Sequence, residues 1–218
     1  MQTQVNSART GADGARAAAH PVLGDWRTIA RARLMRVKGN LVRSRARYVR
    51  EQYGLGELAE LCAQLRGEAR AYLEDPPLPS TWCSFGPLMD VDCAIIAGPM
   101  RGRMEHMLHF GQTVGRYDLS TIYKMLLFFA SPATVLSNTN LAYSLYFRSG
   151  SLRGTRTGDE EGRVELSGAV FPRYMCAYGI TGWLDAALSY GGGRATAVDH
   201  TACVHQGDAA CCWDVRWR

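Results

Sequence analysis

No apolar run in this chain is long enough to cross a bilayer. The densest stretch, Ile122 to Leu136, is broken by Lys124, Ser131 and Pro132 and falls short of the roughly 20 residues a spanning helix needs. No membrane span is expected. The first twenty residues are rich in Ala, Gly, Ser and Thr and lack the apolar stretch of a secretory signal, so a cytoplasmic location is expected. The seven cysteines are an odd number, spread through a chain large enough to fold without disulfide staples. A reducing compartment suits them, with the thiols buried, metal-bound or both. Also lacking are a dinucleotide fingerprint, a nucleophile with a partnered base and paired acids on one element. Gly191-Gly192-Gly193 follows a helical pattern instead of opening one and has no Gly-Lys-Ser/Thr ending, so it reads as a helix cap and turn, not a phosphate loop. The expectation is a protein that is not an enzyme.

With 47% apolar residues, the 218-residue chain can bury one sizeable core. Residues 1–22 offer no apolar periodicity and read as a flexible tail, leaving 23–218 as a single α+β domain. Charge is uneven. Residues 1–50 hold eleven Arg or Lys against Asp13 and Asp25, about +9, and the remainder is about −4. From Trp26 to Arg50 there are nine basic residues and no acid, threaded with Leu34, Met35, Val37, Leu41, Val42 and Val49. A strand near Leu34 to Lys38 and a helix from about Asn40 are expected. This segment predicts a solvated face or an acidic protein partner. Nucleic acid is less favoured, since no recognition-helix motif accompanies the charge.

Leu58, Leu61, Cys62 and Leu65 fall at helical spacing, and Asp75-Pro76-Pro77-Leu78-Pro79 ends that stretch. Pro99 suits a helix start, after which Met104, Met107, Leu108 and Gly111 repeat on one face. Asp118 suits an N-cap, with Leu119, Ile122, Tyr123 and Leu126 on one face and Met125, Leu127 and Phe128 on the other. A helix apolar nearly all round must be covered on both sides. Arg153 to Arg156 and Arg163 to Ser167 flank a turn-rich stretch, a hairpin pattern. A helix from Pro172 to Tyr190 and two final strands follow. Alternation in the last strand turns Cys211, Trp213, Val215 and Trp217 inward and Cys212 outward. The fold class is therefore α+β: an antiparallel sheet of two hairpins separated by a helix, packed with helices from a largely helical first half.

The segment Cys203-Val-His-Gln-Gly207-Asp208-Ala-Ala-Cys211, with Cys176 on a helix bearing Gly179 and Gly182, resembles the end of 4-vinyl-reductase-type domains. The likeness covers residues 140–218. The helical half and Tyr146-Phe147-Arg148-Ser149-Gly150 resemble an uncharacterised bacterial paralogous family built on that domain. The resemblance implies an α+β fold, often dimeric, that senses small apolar or aromatic molecules. It also implies a structural zinc held by three cysteines and an acid, matched here by Cys176, Cys203 and Cys211. No glutamate precedes Cys203. In a regular strand Asp199 shares its direction, and His200 joins only if the strand bulges. Three thiolates and a fourth protein ligand would close a tetrahedral site. Ordinary buried cysteines are the alternative.

His106 and His109 lie at spacing three, which suits two ligands on one face or two partly exposed histidines. Gly179, Gly182 and Ala186 suit close packing against the sheet, or a dimer contact. Met104, Met107, Met125, Phe129, Tyr143, Tyr174, Tyr178 and Trp183 suit a ligand cavity or an ordinary core. The expected function is a homodimeric regulatory or sensory module that binds a small apolar or aromatic ligand. The alternatives are an interaction scaffold whose pocket is filled by its own side chains, or nucleic-acid binding through the basic segment; a reductase-related activity is the least favoured.

Overall fold

The computed structural model describes residues 22–121, 131–194 and 196–218. The fold is α+β, with helices leading into a four-stranded antiparallel sheet. Helix α1 (Trp26–Arg33) starts at Asp25, whose carboxylate accepts the Arg27 and Thr28 amides. Strand β1 (Arg36–Lys38) then runs into α2 (Gly39–Gln64) and α3 (Gly67–Glu74), and pairs antiparallel with β2 (Trp82–Ser84). Leu41, Val42, Arg45, Tyr48 and Val49 of α2 are buried at helical spacing, whereas Arg43, Arg47 and Arg50 face solvent. Gly54, at φ 93°, kinks α2 where a side chain would be strained.

Strand β2 and α4 (Phe85–Ala97) go beyond the elements the sequence predicts. Three residues are too few to show alternation, and α4 is apolar on most of its surface and so carries no clear period. Pro99 lies in the turn after α4, not at a helix start. A single 3-10 turn, Met104–His106, leads into α5 (Met107–Thr121). Asp118 is inside α5, not at a helix start; the expected helix beyond Thr121 lies outside the described residues.

Two short helices, α6 (Pro132–Ser137) and α7 (Thr139–Tyr146), precede the hairpin of β3 (Ser151–Arg156) and β4 (Glu161–Ser167). A π-helical stretch, Met175–Ile180, continues as α8 (Thr181–Tyr190), and β5 (Ala197–Ala202) and β6 (Cys211–Arg216) complete the sheet in the order β3-β4-β6-β5. Alternation holds in β6: Cys211, Trp213 and Val215 are buried, and so is Trp217 just past its end. Each such aliphatic or aromatic side chain contributes roughly 1.5–3 kcal/mol on full burial. The outer face carries cross-strand ion pairs, Arg163 with Asp214 at 2.8 Å and Arg216 with Asp199 at 2.7 Å.

The helical layer is fixed to the sheet by Trp213, whose Nε1 donates to Thr181 Oγ1 at 2.9 Å. Its other side meets α5. A Cβ on Gly182 would lie 2.1 Å from the Leu108 carbonyl oxygen, and one on Gly111 would lie 2.2 Å from that of Gly179. The small-residue stripe therefore lets two helix backbones touch. It packs against α5, not against the sheet, and the same contact covers the face expected for a dimer. No helix among the described residues is long and apolar enough to cross a membrane.

Candidate functional site

An apolar cavity of about 70 Å³ sits where the helical half meets the sheet half. Helix α2 supplies Leu41 and Arg45, and α5 supplies Met107, Phe110, Gly111 and Val114. From the other side come Tyr143 and Tyr146 of α7, Phe147, Leu152 of β3, Met175 and Ile180 of the π stretch, and Trp183 of α8. Of the expected lining residues, Met107, Tyr143 and Trp183 reach it. Met104, Tyr174 and Tyr178 do not line it, and Met125 and Phe129 lie outside the described residues.

Among the described residues Arg45 is the one charged group in this wall, and it is 2% exposed. Its guanidinium grips the wholly buried Asp92 through Nε at 2.9 Å and an Nη at 3.1 Å, and donates to the Leu41 carbonyl at 2.9 Å. It also lies over the Phe110 ring, 4.8 Å from the centroid. Tyr174 donates to the same carboxylate at 2.8 Å, and burial together with the Asp92 charge holds its phenol well above the ordinary range. The expected ligand-lining Tyr174 is thus a strut of the ion pair. Tyr143 donates to the Ser149 carbonyl, and burial keeps that phenol protonated. Arg45 and Tyr143 are thus engaged with the protein, and an apolar surface faces the void.

Arg45 and Asp92 are missing from the residues singled out in the sequence. A signal was there: each is a lone charge at a core position, Arg45 among Leu41, Val42 and Val49, and Asp92 among Leu88, Met89, Ile95 and Ile96. A charge so placed needs a partner, but spacing alone does not pair residues 47 apart.

A second cluster lies under the sheet. The sulfurs of Cys176, Cys203 and Cys211 all fall within 4.8 Å of one another, with Cys211 Sγ 3.6 Å from Cys176 Sγ and 3.9 Å from Cys203 Sγ. The π stretch brings Cys176, the end of β5 brings Cys203, and β6 begins at Cys211. The loop between the strands closes as Asp208 accepts the Cys203 amide at 2.7 Å. Thiol contacts from Cys176 and then Cys211 hold the Cys203 thiol below its ordinary range. Contact with Cys203, contact with Cys211 and burial raise Cys176 well above its ordinary range.

Asp199 is exposed and bound to Arg216, turned away from the sulfurs. The strand shifts register between His200 and Ala202, and the His200 ring stacks on Trp213 with centroids 4.9 Å apart. Its Nε2 is buried with no hydrogen-bond partner among the described residues, and the ring contributes to the lowering at Cys203. His109 Nδ1 lies 3.2 Å from the Tyr48 hydroxyl; His106 sits apart, on the preceding 3-10 turn.

No protein-family model matches the chain, and no curated protein is significantly similar to it in sequence. Solved structures resemble it in fold. An H-NOX protein from S. oneidensis, in its Fe(II)NO ligation state, superposes with a TM-score of 0.65 at 14% identity, covering 83% of this chain and 99% of its own. The H-NOX protein from K. algicida, Fe(II) and unliganded, gives 0.62 at 8% identity over 83% and 96%. The Shewanella woodyi H-NOX, in an Fe(II)CO state, gives 0.63 at 12% over 83% and 94%. These neighbours overturn the expected kinship with 4-vinyl-reductase-type domains and with the paralogous family built on them. The zinc assignment, drawn from that kinship, falls with it: the neighbours' names carry iron, and the acid expected to complete the site, Asp199, points outward to Arg216. The chain has the fold of H-NOX domains.

Proposed function

We propose that this chain is a non-catalytic sensory module whose ligand site is the apolar cavity between α2, α5, α7 and α8. The carrying observation is the wall itself. It is continuous apolar surface at the seam of two halves, and Arg45 and Tyr143, which stand in it, are bound to the protein. Such a wall offers no base, acid or nucleophile to a reaction, which favours binding over catalysis.

The neighbours' names raise the question of heme, and the residues here do not fit it. Protein ligands to heme iron are histidine, cysteine thiolate, tyrosine, or methionine paired with histidine. Among the described residues no histidine or cysteine lines this cavity, Tyr143 is committed to Ser149, Tyr146 packs edge-on against Trp183, and Met107 and Met175 have no histidine opposite. Arg45, among the described residues the one cation in the wall, belongs to Asp92. The 70 Å³ void is also well below the roughly 300–1,000 Å³ of pockets for larger ligands.

The ligand we assign is therefore a small, uncharged apolar molecule. An engineered apolar cavity of about 150 Å³ stays dry and takes benzene or xenon, so a void half that size takes xenon- or dioxygen-sized guests, and an aromatic ring enters only if α7 or α8 shifts. Two measurements test the reading. Hemin titrated into purified protein should give no saturable Soret band, and xenon should shift the NMR methyl signals of Met107, Val114 and Leu152. Stoichiometric heme uptake, or xenon shifts confined to other regions, would refute it.

A further inference from the structure

Helix α2 has a second face, pointing away from the cavity. There Arg43, Arg47 and Arg50 stand at spacings of four and three along one stripe, about 10 Å from first to last at the helical rise. They wall a groove of about 520 Å³ closed by Leu73 and Glu74 of α3 and by Pro76 and Pro79. A second concavity of about 470 Å³ shares Leu55, Leu58, Leu73 and Glu74 with it and continues along α2 and α3 past Cys62. The result is one channel, basic at one end and apolar at the other.

Charge in the channel is unbalanced. Glu74 is bound to Arg70 and Arg47 to Glu51, while Arg43 meets only the Pro76 carbonyl and Arg50 forms no ion pair among the described residues. Leu55 is 70% exposed, on the rim beyond the Gly54 kink.

We propose that this channel docks an amphipathic acidic helix of a partner protein, with its carboxylates on Arg43, Arg47 and Arg50 and its apolar side chains on Leu55 and Leu58. An anion is called for by Arg43 and Arg50, which have no ion pair among the described residues, and an apolar face by the exposed Leu55 beside the half-buried Leu58. A helix is called for because both walls are helices with their backbone bonds already made. An extended peptide would find no strand edge to pair with, whereas a helix satisfies its own backbone. Nucleic acid would use the arginines and leave the leucines bare. A small amphiphile would stay largely uncovered, since the channel is open along its length and small-molecule sites enclose most of their ligand.

The test uses the full chain and a fluorescent synthetic helix of about 16 residues, long enough to be helical alone, with Glu at i, i+4 and i+7 beside a Leu face. A Glu→Gln version and a short DNA duplex are the comparisons. The Glu peptide should bind saturably, and the Gln version at least about tenfold more weakly. Arg50→Glu should weaken binding by about tenfold or more, and Leu55→Ser by about tenfold. Both sites are exposed, and circular dichroism confirms that the variants fold. Failure of the peptide to bind, or binding unchanged by both variants, overturns the proposal. So does DNA binding that is weakened by Arg50→Glu and indifferent to Leu55→Ser, which assigns the surface to nucleic acid.

Discussion

Replacing Asp92 with alanine strands the Arg45 guanidinium inside the protein. The pair is 2% and 0% exposed, and two of the guanidinium's bonds, at 2.9 and 3.1 Å, end on the Asp92 carboxylate. Removing one partner of such a pair costs about 3–5 kcal/mol, because the remaining charge stays desolvated. Against a whole-domain stability of about 5–15 kcal/mol this is a large fraction, and for a chain of this size it lowers the melting temperature by about 6–20 °C. Urea unfolding at pH 7, followed by tryptophan fluorescence, measures it. Tyr174→Phe, which removes one bond to a charged acceptor, should cost about 1.5–3 kcal/mol. The double replacement Arg45→Met, Asp92→Leu should recover most of the Asp92→Ala loss, since no charge is left buried. A cost below about 1 kcal/mol for Asp92→Ala, or a double variant no more stable than the single, would refute the account of a closed, charge-neutral wall.

Two glycine replacements should act with opposite signs in the same urea-unfolding assay. Gly182→Ala sets a Cβ 2.1 Å from the Leu108 carbonyl and should cost about 3 kcal/mol, the upper end of overpacking, whereas Gly56→Ala enters open space in α2 and should stabilise by about 0.5–1 kcal/mol. The Asp214 carboxyl lies below its ordinary 3.8, chiefly through its hydrogen bond to Arg163. Its contribution is therefore present above pH 3.8 and lost as the pH falls through the folded-state value, and Asp214→Asn should flatten the stability profile below pH 4. For the thiols, burial pushes Cys93 up to about 12 and raises Cys212. Iodoacetamide at pH 8 should still reach Cys212, on the outer face of β6, before Cys176, Cys203 or Cys211; peptide mass spectrometry reads the order, and earlier labelling of Cys211 would contradict the strand's facing.

The sheet was the most legible part of the fold, for a physical reason. In β4 and β6 one face is buried and the other solvated, so the period of two is written into Val164, Leu166, Cys211, Trp213 and Val215. Convergence of Cys176, Cys203 and Cys211 was legible too, since a hairpin and a crossing helix have few ways to pack. The direction of His200 was not, because a register shift between His200 and Ala202 breaks the alternation on which the choice of Asp199 rested. Helix α4 was invisible for the opposite reason: an element covered on most sides shows no stripe. The cavity was only half legible, since methionine and aromatic residues mark apolar surroundings without saying whether they leave a void or fill it.

The basic segment shows most clearly how composition misleads. Nine positive charges between Trp26 and Arg50 read as one surface, yet the fold separates them. Arg33 is paired with Asp90, and Arg45 is buried against Asp92. Lys38 and Arg36 donate to the Ser80 and Trp82 carbonyls. What remains as an ordered row is Arg43, Arg47 and Arg50, with Arg47 paired to Glu51, because a helical period of 3.6 sends position 45 to the opposite side from 43 and 47. The two faces of α2 therefore do different work: the inner one walls the cavity with a neutralised arginine, and the outer one keeps its charge.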